Sequence, residues 1–183
     1  MYYSDIKAND IANGEGIRTT IFVSGCRLHC KGCFNSCTWD FKYGKPFTED
    51  QLNEIIELSN KNHIKGLTIL GGEPFEPENQ EQVLNIVKTF KKNYPNKTIW
   101  MFSGYTLDGQ IKKWCDELPF TKEIIQNIDV LIDGPFKIDL YDIALGFRGS
   151  SNQRIIDIKK TIENAKIVLH SKHFHKENKN IWK

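Results

Sequence analysis

Strand-like and helix-like segments alternate along this chain, and each strand-like segment runs into a loop rich in glycine and polar residues. That pattern constrains the fold more than any other feature. Ile17 to Val23 is rich in β-branched residues and predicts a strand. Thr48 and Gln51 have the spacing of a capping box, and Leu52, Ile55, Ile56 and Ser59 continue on one helical face. Leu67 to Leu70 predicts a short buried strand. Glu78 to Lys92 predicts a helix with Val83, Leu84, Ile86, Val87 and Phe90 as its apolar stripe. Thr98 to Phe102 predicts the next strand. Leu107, Ile111, Trp114, Cys115 and Leu118 mark a helix, and Thr121 to Ile128 another helical turn or two. Val130 to Ile132 predicts a fourth strand, with further strands over 153–158 and 166–169.

This order predicts a mainly parallel sheet with covering helices. A complete eight-fold barrel needs about 250 residues. The chain has 183, so a barrel would be a partial one of five or six βα units. In parallel α/β architectures the carboxyl ends of the strands carry the site. Four loops therefore converge on one rim: the cysteine-bearing segment after the first predicted strand, then Gly71-Gly72-Glu73-Pro74, Ser103-Gly104-Tyr105-Thr106 and Asp133-Gly134-Pro135-Phe136.

Four of the five cysteines, Cys26, Cys30, Cys33 and Cys37, fall within that first loop. The N-terminus has neither the basic start nor the apolar core of a signal peptide, so a cytoplasmic location is expected and a secreted disulfide framework is not. Clustered thiolates select zinc, copper(I) or iron–sulfur clusters. The C-x3-C-x2-C-x3-C spacing lies in one loop, whereas structural zinc sites use two separated pairs. A four-cysteine electron-transfer cluster and a cluster with three thiol ligands and one open iron both remain. The net charge of +2 is too small, and its lysines and arginines too scattered, for nucleic-acid binding. No apolar run is long enough to span a bilayer.

Cys26-x3-Cys30-x2-Cys33 followed by Phe34 resembles the signature of the radical S-adenosylmethionine superfamily, and Gly71-Gly72-Glu73-Pro74 resembles that family's second motif. The resemblance implies that Cys26, Cys30 and Cys33 hold a [4Fe–4S] cluster whose open iron chelates S-adenosylmethionine. It also implies that Gly32, Cys33, Phe34, Gly71, Gly72 and Glu73 contact that molecule, with Phe34 near the adenine and Glu73 near the ammonium. Cys37 falls outside the ligand set, because one iron must stay open.

Asn13-Gly14-Glu15-Gly16-Ile17-Arg18, Ser103-Gly104-Tyr105-Thr106 and Phe147-Arg148-Gly149-Ser150-Ser151-Asn152-Gln153-Arg154 narrow the likeness. Over about residues 5–158 the chain resembles the activating proteins of anaerobic ribonucleoside-triphosphate reductases. The resemblance implies an activase that cleaves S-adenosylmethionine to methionine and a 5′-deoxyadenosyl radical, which takes a hydrogen atom from a glycine of the reductase. Reduced flavodoxin or ferredoxin would supply the electron. Two other readings stand beside it: the activating enzyme of pyruvate formate-lyase, whose relatives are longer, and a non-enzymatic iron–sulfur module.

Ser103, Tyr105, Asp133 and Arg148 sit at strand ends, where contact with S-adenosylmethionine and plain turn support are both open. Trp39 is expected to cover the cysteine loop and Cys115 to serve packing. A single domain is expected over 1–169, followed by a basic tail over 170–183.

Overall fold

The computed structural model describes residues 1–170. Seven strands run in chain order: β1 (Tyr2–Asp10), β2 (Ile17–Val23), β3 (Lys45–Pro46), β4 (Ile64–Gly71), β5 (Thr98–Phe102), β6 (Val130–Asp133) and β7 (Arg154–Asp157). Five helices accompany them: α1 (Glu49–Ser59), α2 (Pro77–Asn93), α3 (Lys112–Glu117), α4 (Thr121–Asn127) and α5 (Ile158–Asn164). The strands form one sheet in the order β3-β1-β2-β4-β5-β6-β7.

β2, β4, β5 and β6 pair in parallel, while β1 pairs antiparallel with β2 and β3, and β7 antiparallel with β6. The connections explain this. A parallel return needs a crossover of a dozen or more residues, normally helical. Helices separate β2 from β4, β4 from β5 and β5 from β6, but β1 and β2 are joined by a turn of six residues. The pairing therefore defines a mixed α/β sheet with a parallel centre and antiparallel edges. The expected partial barrel is supported only in this coarser form.

Period-two alternation splits the sheet into two apolar faces. Ile21 and Val23 of β2, Leu67 and Ile69 of β4, Ile99 and Met101 of β5, Leu131 of β6 and Ile156 of β7 pack with the helices. α2 contributes the stripe read from sequence, Val83, Leu84, Ile86, Val87 and Phe90. On the opposite face Trp100, Val130, Ile132 and Ile155 form a smaller cluster, with Phe102 and Phe147 against it. Thr48 donates its backbone N–H to Gln51 Oε1 at 3.1 Å, so the capping-box pair does start α1.

Arg18 closes the base of that second face and is fully buried. Its Nε donates to Thr68 Oγ1 (2.7 Å), Nη1 to Glu15 O and Thr98 Oγ1 (both 3.1 Å), and Nη2 to Leu67 O and Thr98 O (both 2.8 Å). The guanidinium also lies 5.5 Å from the Trp100 ring centroid. Burial lowers its pKa to about 10, which leaves it charged. A Cβ on Gly14, at φ +126°, would come within 2.9 Å of Arg18 and 3.0 Å of Trp100, so glycine permits this close packing.

The segment 166–169 forms a single antiparallel bridge, Ile156 to Leu169, rather than a full strand. His170 N–H donates to Ile155 O at 2.8 Å, and its ring lies 5.8 Å from Trp100. The rest of the expected basic tail, 171–183, lies outside the described residues. Among the described residues no helix is long and apolar enough to cross a membrane.

Candidate functional site

The parallel register brings the carboxyl ends of β2, β4, β5 and β6 to one rim, on the face opposite the helices. A cavity of about 540 Å³ opens there. All four loops line it: Cys26, Cys30 and Cys33 from the first, Gly71, Gly72 and Glu73 from the second, Ser103 and Gly104 from the third, Gly134 and Phe136 from the fourth. Its size falls within the range of small-molecule sites.

The cysteine loop and the Gly71 loop are joined backbone to backbone. Gly72 N–H donates to Val23 O (2.7 Å) and Glu73 N–H to Gly25 O (2.8 Å). Asn79, in the first turn of α2, donates its amide to Ser24 O (2.9 Å) and to Glu73 O (3.0 Å). A Cβ on Gly72 would fall 2.7 Å from Gly25 O, so only glycine allows the two loops to approach this closely. On the far side of the cysteine loop Gly25 N–H donates to Thr38 O and Cys26 N–H to Trp39 O. His29, held at φ +44°, stacks on Trp39 with centroids 4.5 Å apart, a contact that steadies a backbone conformation non-glycine residues seldom adopt.

Glu73 is almost completely buried, yet its carboxylate reaches the cavity wall. Oε1 accepts from Phe75 N–H (3.0 Å) and Ser103 Oγ (2.9 Å), and Oε2 from Gly104 N–H (2.7 Å). Burial pushes its pKa up to about 7 against these donors. Each oxygen of a carboxylate has two lone-pair sites, so capacity remains for an ammonium from the cavity. Burial also pushes the Cys26 thiol up to about 12 and raises Cys30.

Cys26, Cys30 and Cys33 stand on one cavity wall, and thiolates are the ligands an iron–sulfur cluster takes. Trp39 also lines the cavity, and its buried indole N–H has no acceptor among the described residues, an unmet donor on the wall that carries the thiols. The residues present fit an iron–sulfur cluster.

Other residues singled out from sequence divide clearly. Phe34 lines the cavity but is 69% exposed, its ring tilted against those of Phe136 and Tyr141. Gly32 is off the wall, at φ +77° against Ile138. Cys37 is exposed and off the wall, with its thiol beside the Tyr43 hydroxyl. Cys115 packs at the edge of the helix-side core. Ser103 touches the cavity, whereas Tyr105 donates its hydroxyl to Glu76 Oε1 (3.1 Å). Asp133 supports the turn, taking Arg154 through both oxygens (2.9 and 2.6 Å) and Leu107 N–H (2.7 Å). Arg148 lines the cavity and donates Nη1 to Gln153 O.

Sequence reasoning placed the Phe136 loop on the rim but missed Leu28, Phe102 and Phe147, which belong to the apolar part of the wall. It also missed β1, which brings Lys7 to the mouth. The alternation of Trp100 and Phe102 on β5 was the available signal for an apolar inner face.

Fold and site together define an α/β iron–sulfur protein with its thiols on the rim of a parallel sheet. A family model described as a 4Fe-4S single cluster domain matches residues 12–156. The chain is similar to the anaerobic ribonucleoside-triphosphate reductase-activating protein of Pasteurella multocida (strain Pm70), 43% identical over 157 residues that span 85% of this chain and 96% of that protein. The protein of the same name from Escherichia coli (strain K12) is 40% identical over 156 residues, 84% of this chain and 96% of its own. That of Enterobacteria phage T4 is 37% identical over 155 residues, 85% and 93%. The chain belongs to the family of anaerobic ribonucleoside-triphosphate reductase-activating proteins.

Proposed function

We propose that this chain is a radical S-adenosylmethionine activase that installs a glycyl radical on an anaerobic ribonucleoside-triphosphate reductase. The observation that carries the reading is that Cys26, Cys30, Cys33 and Gly71-Gly72-Glu73 share one cavity wall. Cys26, Cys30 and Cys33 hold a [4Fe–4S] cluster, and Cys37, exposed beside Tyr43, takes no part. When bound, that cluster supplies the electron for reductive cleavage of the sulfonium of S-adenosylmethionine.

The chain's own residues position the substrate. Glu73, fixed by Phe75, Ser103 and Gly104, receives the ammonium. Gly71 and Gly72 let the methionine part lie against the backbone, and Gly32 shapes the turn that carries Cys33. Phe34 lies along the adenine, with Phe136 beside it. Holding the substrate in one pose removes the orientational cost of the step. The apolar side chains Leu28, Phe102 and Phe147 exclude water from the reacting centre. The protein works in the cytoplasm, with reduced flavodoxin or ferredoxin as electron source. Pyruvate formate-lyase activation and a purely structural cluster are not favoured, since the curated relatives quoted above are named for the reductase.

Anaerobic reconstitution with iron and sulfide, followed by dithionite and S-adenosylmethionine, tests this. 5′-Deoxyadenosine is the expected product, and adding the reductase yields a glycyl doublet in electron paramagnetic resonance. No 5′-deoxyadenosine would sink the reading. 5′-Deoxyadenosine without the doublet would move the substrate elsewhere.

A further inference from the structure

Nine large apolar side chains are exposed among the described residues, and six of them, Ile11, Phe34, Ile138, Leu140, Tyr141 and Ile143, belong to the segments that border the cavity mouth. Scattered exposed apolar residues need no explanation, but a concentration at one opening marks an interaction site. Five of the six come from two adjoining segments, 31–34 and 137–143, which together make one platform. Phe34 lies 5.3 Å from Phe136 and 5.8 Å from Tyr141, centroid to centroid, and Phe136 lies 6.2 Å from Tyr141. Ile138 packs over Gly32, 3.0 Å from where a Cβ would stand. Ser151 N–H donates to Leu140 O (2.9 Å) and Asp142 N–H to Gly149 O (3.4 Å), with a bridge from Tyr141 to Ser150. Residues 140–151 thus form a tied loop. One part of it, Leu145, Phe147, Arg148 and Gly149, lines the cavity, while Ile143 stands 88% exposed outside. Across the mouth the β1–β2 turn places Ala12 and Asn13 on the wall, next to Ile11, 75% exposed.

We propose that the platform of Phe34, Ile138, Leu140, Tyr141 and Ile143 is the surface on which the reductase docks, gripping the apolar residues that flank its reactive glycine. This rests on the activase reading above. Three features select this occupant. The platform is continuous with the cavity, because Phe34 belongs to both, so a macromolecule whose atom must reach the thiol-lined end has to cross it. Glycine has no side chain to hold, so recognition must come from its neighbours. The charges on the same two segments, Lys31, Lys137, Asp139 and Asp142, are balanced in sign, which suits an apolar protein segment and not a nucleic acid or an anionic membrane.

The test uses the reconstituted protein and the reductase under anaerobic conditions. Leu140→Asp/Ile143→Asp alters two exposed side chains outside the cavity wall, and Ile143→Asp alone serves if the double variant does not fold. Reductase affinity, measured by sedimentation or interferometry, falls by about tenfold or more. The glycyl signal at subsaturating reductase falls with it, while dithionite-driven 5′-deoxyadenosine formation without reductase stays at the wild-type level. Unchanged reductase affinity in the double variant overturns the proposal. So does a wild-type protein that is dimeric where the variant is monomeric with reductase affinity intact, since the platform would then join two copies of this chain. A wild-type protein that forms no 5′-deoxyadenosine defeats the activase reading itself, a result the affinity measurement does not depend on.

Discussion

Glu76 holds Arg27 through both ends of the arginine: its Oε1 accepts the backbone N–H at 2.8 Å and its Oε2 accepts Nη1 at 2.5 Å. Glu76 is buried at the start of α2, and Arg27 directly follows Cys26. Glu78 takes the outer edge of the same guanidinium, which lies 4.5 Å from the Phe41 ring centroid. The cysteine loop is thereby fastened to α2 at its first thiol. Glu76→Ala leaves the Arg27 amide and the Tyr105 hydroxyl without their acceptor. It is expected to lower stability by about 1–3 kcal/mol and to reduce the iron content after reconstitution. Chemical denaturation and iron analysis measure the two effects.

The thiols are expected to separate into two groups. Cys26→Ala, Cys30→Ala and Cys33→Ala each lose the visible iron–sulfur absorbance and 5′-deoxyadenosine formation. Cys37→Ala and Cys115→Ala retain both. Loss of the absorbance in Cys37→Ala would replace the three-thiol assignment with a four-thiol one.

Glu73→Gln tests the carboxylate as an acceptor. All its partners, Phe75 N–H, Ser103 Oγ and Gly104 N–H, present a hydrogen to it. An amide has only one acceptor oxygen, so its NH₂ must face a donor. A loss of about 1–3 kcal/mol follows, together with weaker binding of S-adenosylmethionine in calorimetry.

Acid sensitivity is expected to involve Asp129. Burial opposes its charge, but Lys91 (2.6 Å), the Ile99 amide (2.8 Å) and Lys159 (3.0 Å) together hold its pKa below the ordinary carboxylate value. A depressed carboxylate contributes stability that is present above its unfolded pKa and lost as pH falls through the folded one. That loss begins near pH 4. Asp129→Asn should be less stable at neutral pH and should show a shallower fall in stability below that point, followed by urea denaturation against pH.

Gly66→Ala should be severe. A Cβ there would stand 1.9 Å from Thr98 O and 2.6 Å from Arg18 Nη2. The substitution would push β4 away from β5 and unseat the buried guanidinium, a loss of about 3 kcal/mol or more, measured as a drop in Tm.

The parallel centre of the sheet was legible because its strands carry β-branched runs and the intervening helices carry clear stripes. Thr98 to Phe102 coincides with β5 to the residue. β1 was not legible: Asp5, Lys7, Asn9 and Asp10 interrupt its apolar pattern, since only Tyr3 is buried. The antiparallel edges were also hidden, because pairing direction there depends on connection length rather than on strand composition. Of the site, the thiols and Gly71-Gly72-Glu73 were readable as local motifs. The loop of Phe136 was placed on the rim by strand order, but Leu28 and Phe147 were not readable as wall residues, since no local motif gives an apolar side chain a place on a wall that the tertiary fold assembles. Asp133 sits at a strand end like the others, but Arg154, twenty-one residues on, makes it a brace for a turn.

The packing of Arg18 and Trp100 beneath the cavity has a consequence for traffic. Together with the Phe147 ring, which stands against Trp100, it gives the chamber a floor of packed side chains. The β1–β2 turn and the 140–151 loop stand on its wall, so small molecules that enter past them share that route with the macromolecular guest proposed above. A guest docked there would be a stopper as well as a reactant, narrowing the exit at the moment of the hazardous step.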